Sequence, residues 1–195
     1  RMLEQFVGAD QFRDGIRSYM TTHAYRNTVT ADLWNAIGSA TELPVEHIMQ
    51  EWIYQGGFPL IEASLGDGEL ELDQQIFRLL DKTNAPATND WDVPLTVQVD
   101  GIDSRVLMAP QARIPLSDTS NPVIVDPHSH GFFRVRYDDA LSQRLTAQLM
   151  DLTGGQRHRL FDDQFDLVLA GHLSVADYLS LAGALNGETS RPVWA

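Results

Sequence analysis

The sequence predicts an α+β protein in three successive parts: a helical lobe, an antiparallel β-sandwich, and the first helices of an α-helical domain. Three observations carry this prediction. Apolar residues recur at helical spacing up to Tyr54. From Pro59 to about Tyr137 the spacing drops to two, in short runs separated by turn residues. From Asp138 the helical period returns. The expected parts are residues 1–57, 58–138 and 139–195.

In the first part, Met2, Leu3, Phe6 and Val7 make a short apolar face that Gly8 can end. Asp10 can cap a second helix bearing Phe12, Ile16, Tyr19, Met20 and His23. Thr30 can cap a third, with Asp32 in its first turn and Leu33, Trp34 and Ile37 as its buried face. The fourth helix opens at Pro44, where a missing N–H costs nothing. Its stripe is Val45, Ile48, Met49, Trp52 and Ile53. Gly56-Gly57 supplies a residue able to take positive φ, and Pro59 stops the helix from resuming.

Six or seven short strands follow. Leu60–Leu65 alternates loosely, Gly66-Asp67-Gly68 signals a hairpin, and Leu70 and Leu72 continue on the return strand. Residues 81–92 are polar and read as a loop. Val93–Val99 and Ile102–Met108 flank an Asp100-Gly101 turn, and the runs 122–126 and 132–137 add two more strands. Such a series with regular turns predicts a sandwich. Beyond it, Leu141, Leu145, Leu149 and Leu152 share a helical face, Gly154-Gly155 reads as a break, the apolar residues Leu160, Phe161, Phe165, Leu167, Val168 and Leu169 follow up to Gly171, and Ser174 can cap a last helix.

The totals bound the function. The chain has 195 residues, 43% hydrophobic and 21% charged, the make-up of an ordinary globular protein. A net charge of −13 argues against nucleic acid or an anionic membrane surface as partner. The absence of cysteine excludes disulfides, thiolate-bound zinc and thiol catalysis, and weakly favours the cytoplasm. No apolar run has the length of a membrane span. Arg1 already stands at the edge of an amphipathic helix, so the chain is expected to be a piece of a longer protein.

Trp52, Gln55, Gly57, Phe58 and Pro59 spell W-x-x-Q-x-G-F-P. This resembles the close of the catalytic domain in zinc aminopeptidases of the aminopeptidase N family, where such a helix leads into a β-sandwich. The stretch from Arg1 to Ile37 resembles the family's preceding helices, with matches at Gly15, Tyr19, Tyr25, Asn27, Asp32, Leu33 and Trp34. Trp91-x-Val93-Pro94-Leu95 and Gly131-Phe132-Phe133-Arg134-Val135-x-Tyr137-Asp138 resemble two of its sandwich strands. The spaced residues Arg157, Leu160, Asp163, Phe165, Leu167, Gly171, Leu173 and Ser174 resemble the start of its carboxy-terminal helical domain.

The resemblance implies a parent enzyme that releases amino-terminal residues from peptides. Its zinc would be held by two His four apart on a helix and a distal Glu, with an intervening Glu as general base. A G-x-M-E-N strand would grip the substrate amine and a Tyr would stabilise the oxyanion. H-E-x-x-H, the distal Glu and G-x-M-E-N do not occur here. In the family's order they precede Arg1, as does the catalytic Tyr; Tyr19 and Tyr25 match other positions. The resemblance therefore implies no catalytic, metal or substrate-binding residue in this chain. Zinc is expected in the parent and not in this piece.

Read independently, His128 and His130 form an H-x-H pair with Asp126 on the same side by parity, a pattern able to chelate a metal. Pro127 and Gly131 instead favour a turn. His23 reads as a packed or capping residue. His47 and Glu46 read as solvated in a first helical turn, and His158 and His172 lack a metal-spaced partner. Ser117-Asp118 and Ser129 lack a base and its orienter. Glu69, Glu71 and Asp73 read as a solvated strand face, and Arg134 and Arg157 as structural ion pairs or caps. The rival to the enzyme reading is a non-catalytic sandwich with flanking helices that binds a protein partner. Either way, helical faces cut from their neighbours would let the chain self-associate.

Overall fold

The computed structural model describes residues 1–79, 90–116 and 121–194. Its first part is four helices: α1 (Met2–Val7), α2 (Ala9–Thr22), α3 (Thr30–Ser39) and α4 (Val45–Tyr54). Leu3, Val7, Ile37 and Val45 form their core, with Phe12, Ile16, Leu33, Trp34 and Met49 packed against it. Gly15 lets α2 lie close on α3, since a Cβ there would stand 2.6 Å from the Ile37 Cα. The expected faces are the buried ones, except that Met20 and Ile53 are exposed. Ile53 sits in the last turn of α4, where the chain turns off into a strand. Asp10 and Thr30 lie inside the first turns of α2 and α3, and the preceding residues Gly8 and Val29 hold the cap positions. Asp32 still serves the start of α3, accepting the Val29 N–H at 2.9 Å.

The strands form two sheets. One has the order β5-β2-β1-β7, built from β1 (Pro59–Gly66), β2 (Glu69–Ile76), β5 (Ala112–Pro115) and β7 (Arg134–Tyr137). The other has the order β4-β3-β6, from β3 (Val93–Val99), β4 (Ile102–Met108) and β6 (Val123–Val125). Both expected hairpins close on Asp-Gly pairs with positive φ, 47° and 84° at Asp67-Gly68 and 53° and 74° at Asp100-Gly101. These mirror-image turns match the strand twist. Ile61, Ala63, Leu70, Leu72 and Val135 of the first sheet share one core with Val93, Leu95, Val97, Met108, Val123 and Val125 of the second.

Three expectations are corrected. The first sheet is mixed rather than antiparallel, because β7 runs parallel to β1 with Leu60 opposite Arg134. β5, four residues that the sequence pattern does not mark as a strand, pairs with β2. β7 begins at Arg134, and Phe132 before it is exposed. The loose alternation of β1 has a cause. Ile61 faces the shared core, while Leu60 packs with Phe77 and Leu167 on the opposite face, so both sides of the strand are covered. Of the loop expected at 81–92, residues 81–89 lie outside the described residues.

The last part comprises α5 (Asp139–Ala147), a 3₁₀ turn at Leu149–Asp151, α6 (Gly154–Leu169), α7 (Val175–Gly183) and a 3₁₀ turn at Arg191–Trp194. Leu145, Leu149, Leu152, Phe161, Leu185 and Val193 form its core, while Leu141 joins the core between the sheets. Gly154-Gly155 opens α6 rather than breaking the chain. Thr153 and Gln156 cap it reciprocally, with Thr153 N–H donating to Gln156 Oε1 at 2.9 Å and Gln156 N–H to Thr153 Oγ1 at 3.3 Å. Ser174 caps α7 as expected, accepting the Asp177 N–H at 3.1 Å. No helix among the described residues is long and apolar enough to cross a membrane.

Candidate functional site

The residues of W-x-x-Q-x-G-F-P build the seam between helices and sheets. Trp52 Nε1 donates to the Asp92 carbonyl at 3.0 Å, and Gln55 Nε2 to the Asp90 carbonyl at 3.2 Å. Trp52 in the last turn of α4 and Gln55, the extended residue just past its end, grip the same short segment. Glu51 joins them, accepting the Asp92 N–H at 2.6 Å. From the other side Gln74 holds Trp91 at two points, donating to its carbonyl at 2.8 Å and accepting its N–H at 3.0 Å. The rings of Trp52 and Trp91 are 6.2 Å apart. Gly57 takes φ 95°, and a Cβ there would stand 2.8 Å from Ile76 Cδ1. Phe58 stacks on Phe77 at 5.2 Å and meets Phe132 at 5.2 Å.

A second polar centre joins β7 to α6. Arg134 reaches Asp166 at 2.5 Å, Asp162 at 3.1 Å and Asp163 at 3.3 Å. Arg159 pairs with Asp163 at 3.1 Å and Asp126 at 3.6 Å, donates to the Phe133 carbonyl, and lies 5.8 Å from the Phe133 ring centre. Burial pushes the Asp163 carboxyl up to about 7, against the pull of Arg159 and Arg134. Nearby, the Tyr137 hydroxyl accepts the Val125 N–H at 2.9 Å, and burial raises its pKa as well. A carboxylate so perturbed is a candidate acid or base. Asp163 is only 2% exposed, however, so the centre fixes α6 on β7 rather than meeting a substrate.

The structure also places the residues singled out in the sequence. Asp126, at φ 57°, turns its carboxylate onto the N–H groups of His130 and Gly131 at 2.9 and 3.0 Å. It therefore serves the turn and not the two imidazoles. His128 bonds Asp103 at 2.5 Å, which holds that carboxyl below its usual range, and its ring centre lies 5.7 Å from that of His130. Burial and Arg1 lower the pKa of His130. His23 ends α2 and packs its ring 5.3 Å from Tyr19. His158 is exposed, and burial lowers the pKa of half-buried His172.

Arg157 forms a two-point pair with Glu188, holding that carboxyl low, and donates to the Leu152 carbonyl. The acidic strand is partly paired: Glu71 meets Arg113 at 3.2 Å, and Asp73 accepts from Gln111. Ser129 lies exposed in the turn, and Ser117-Asp118 lies outside the described residues. One group went unseen in the sequence: His47, Glu51 and Asp92, whose ligand atoms lie within 4.8 Å of one another. It is the only such group of three among the described residues. The spacing of His47 and Glu51 was visible, but Asp92 arrives from a different element.

Two family models match. Residues 1–52 match the peptidase family M1 domain, and residues 122–195 match the ERAP1-like C-terminal domain. Aminopeptidase M1 of Arabidopsis thaliana is 30% identical over 96% of this chain and 23% of its own length. Tricorn protease-interacting factor F2 of Thermoplasma volcanium is 31% identical over 96% of this chain and 23% of its own length. The factor of the same name from Thermoplasma acidophilum is 32% identical over 92% and 22%. The chain thus spans under a quarter of the length of the curated relatives it matches.

Proposed function

The chain belongs to peptidase family M1, and from that premise we propose that it is a section of a zinc aminopeptidase, running from the end of the catalytic domain into the C-terminal helical domain. The section divides at residues 1–57, 58–138 and 139–195. The parent removes single amino-terminal residues from peptides by metal-activated water. This section is the wall and spacer that sets the catalytic and helical domains at a fixed separation. It carries none of the parent's catalytic residues, catalytic-zinc ligands or substrate-binding residues, and it acts in the cytoplasm.

One observation supports this reading above the others. The M1 match ends at residue 52 and the C-terminal match starts at residue 122, and the clamp of Trp52 and Gln55 on residues 90–92 ties the end of the first to the sandwich that lies between them. The catalytic zinc does not fit the residues present. It needs two His four apart and a distal Glu, whereas the group of three described above has a single His. The isolated chain should therefore cleave no aminoacyl anilide. Extending it upstream through its own coding sequence should add H-E-x-x-H and restore cleavage. An upstream region without that motif would favour the rival reading, a non-catalytic module.

A further inference from the structure

We propose that His47, Glu51 and Asp92 form an accessory transition-metal site, of the kind that takes zinc, binding α4 to the segment that opens β3. His47 Nε2 lies 3.4 Å from Glu51 Oε1 and 3.5 Å from Asp92 Oδ2. Zinc bound tetrahedrally at about 2.0–2.1 Å has ligand atoms about 3.3–3.4 Å apart. Both spacings from His47 therefore match those of a metal-centred set before any ion enters, and the two carboxylate oxygens lie within 4.8 Å of each other. His47 and Glu51 are four apart on α4, which brings their side chains to one face.

The Glu51 carboxylate and the Asp92 backbone are already held by contacts that owe nothing to an ion. Glu51 uses its second oxygen, Oε2, to accept the Asp92 N–H at 2.6 Å. Trp52 fixes Asp92 from the other side through its carbonyl, at 3.0 Å. Little ordering remains for a metal to impose, the condition that outer-shell contacts create around metal ligands. The Glu51 and Asp92 side chains are 19% and 18% exposed, and His47 is 60% exposed, which leaves a path for the ion and a fourth position for water. The imidazole nitrogen favours a transition metal such as zinc over magnesium or calcium, which prefer all-oxygen sets. The site differs from the family's catalytic zinc in ligands and place, and it stands or falls independently of the proposed function.

The same geometry also suits a protonated imidazole bridging two carboxylates, and a titration separates the two. The whole chain is stripped with chelator, then titrated calorimetrically with zinc chloride, and its melting temperature is read with and without the metal. One saturable zinc per chain and a raised melting temperature are expected, with no comparable response to magnesium. His47→Ala removes an exposed ring and leaves the Glu51–Asp92 bond in place. It should weaken zinc by more than about a hundredfold, since even outer-shell losses cost 10- to 100-fold. The double variant H128A/H130A should bind zinc as the parent chain does. No saturable zinc, equal binding by His47→Ala, loss of binding in H128A/H130A, or equal binding of magnesium and zinc would each overturn the proposal.

Discussion

Trp52→Ala tests the seam directly. Trp52 is half-buried against the core between the sheets. Removing about half of an indole's roughly 200 Å² from contact, at about 25 cal/mol per Å², costs about 2–3 kcal/mol. The lost bond to the Asp92 carbonyl adds about 1 kcal/mol, and the lost pairing with Trp91 about 1 kcal/mol more. The expected loss is about 4–5 kcal/mol, within the range for large aromatic truncations. Trp52→Phe keeps most of the packing, gives up the hydrogen bond, and should lose about 1–2 kcal/mol. Denaturant unfolding followed by far-ultraviolet dichroism reads both losses as shifts of the midpoint. A loss below about 1 kcal/mol for Trp52→Ala would mean that the helix does not depend on this clamp.

Gly15→Ala should gain up to about 1 kcal/mol of helix propensity but lose about 1–3 kcal/mol to the collision with the Ile37 backbone, for a net loss in thermal unfolding. Asp163→Asn should change the pH dependence of stability. A carboxyl whose pKa is raised from 3.8 to about 7 binds its proton more tightly in the folded state. Its contribution is complete below the unfolded value and fades as pH rises through about 7. The variant should flatten that part of the profile, and an unchanged slope between these limits would refute the assignment. The exposed faces of Val175, Leu179 and Trp194 predict self-association at high concentration, opposed by a net charge of −13. Light scattering should show mass rising with concentration and with salt, and amide exchange should be slowest in the two sheets.

Features governed by neighbours in sequence were legible before the structure. The two Asp-Gly turns, the Ser174 cap and the leucine face from Leu141 to Leu152 all follow from local rules. The capping box of Thr153 and Gln156 was equally local, yet the adjacent Gly154-Gly155 pair masked it. Other features depended on distant partners. β5 is short and half-exposed, and it is a strand because β2 pairs with it. The direction of β7 is set by where the chain re-enters the sheet, which no local pattern encodes. Of the two polar centres the sequence marks only Arg134, as an ion-pair former; His47 reads as solvated, and nothing local singles out Glu51. Asp126, from the turn after β6, meets Arg159 and Asp163 of α6, and Asp92 joins His47 across the seam.

The parallel pairing of β1 with β7 also sets an order of events during synthesis. The β1–β2 hairpin can close as soon as residue 76 emerges, but the far edge of β1 must wait for Arg134–Tyr137. At a translation rate of roughly 5–20 residues per second, that edge stays bare for roughly 3–12 s. An unpaired strand carrying Leu60 and Ile61 is a template for any other strand it meets. The interval ends at Asp138, which accepts the Leu65 N–H at 2.9 Å and the Leu141 N–H at 2.8 Å. One carboxylate thus seals the edge and starts α5, so closure of the sheet and the start of the last helices hang on the same residue.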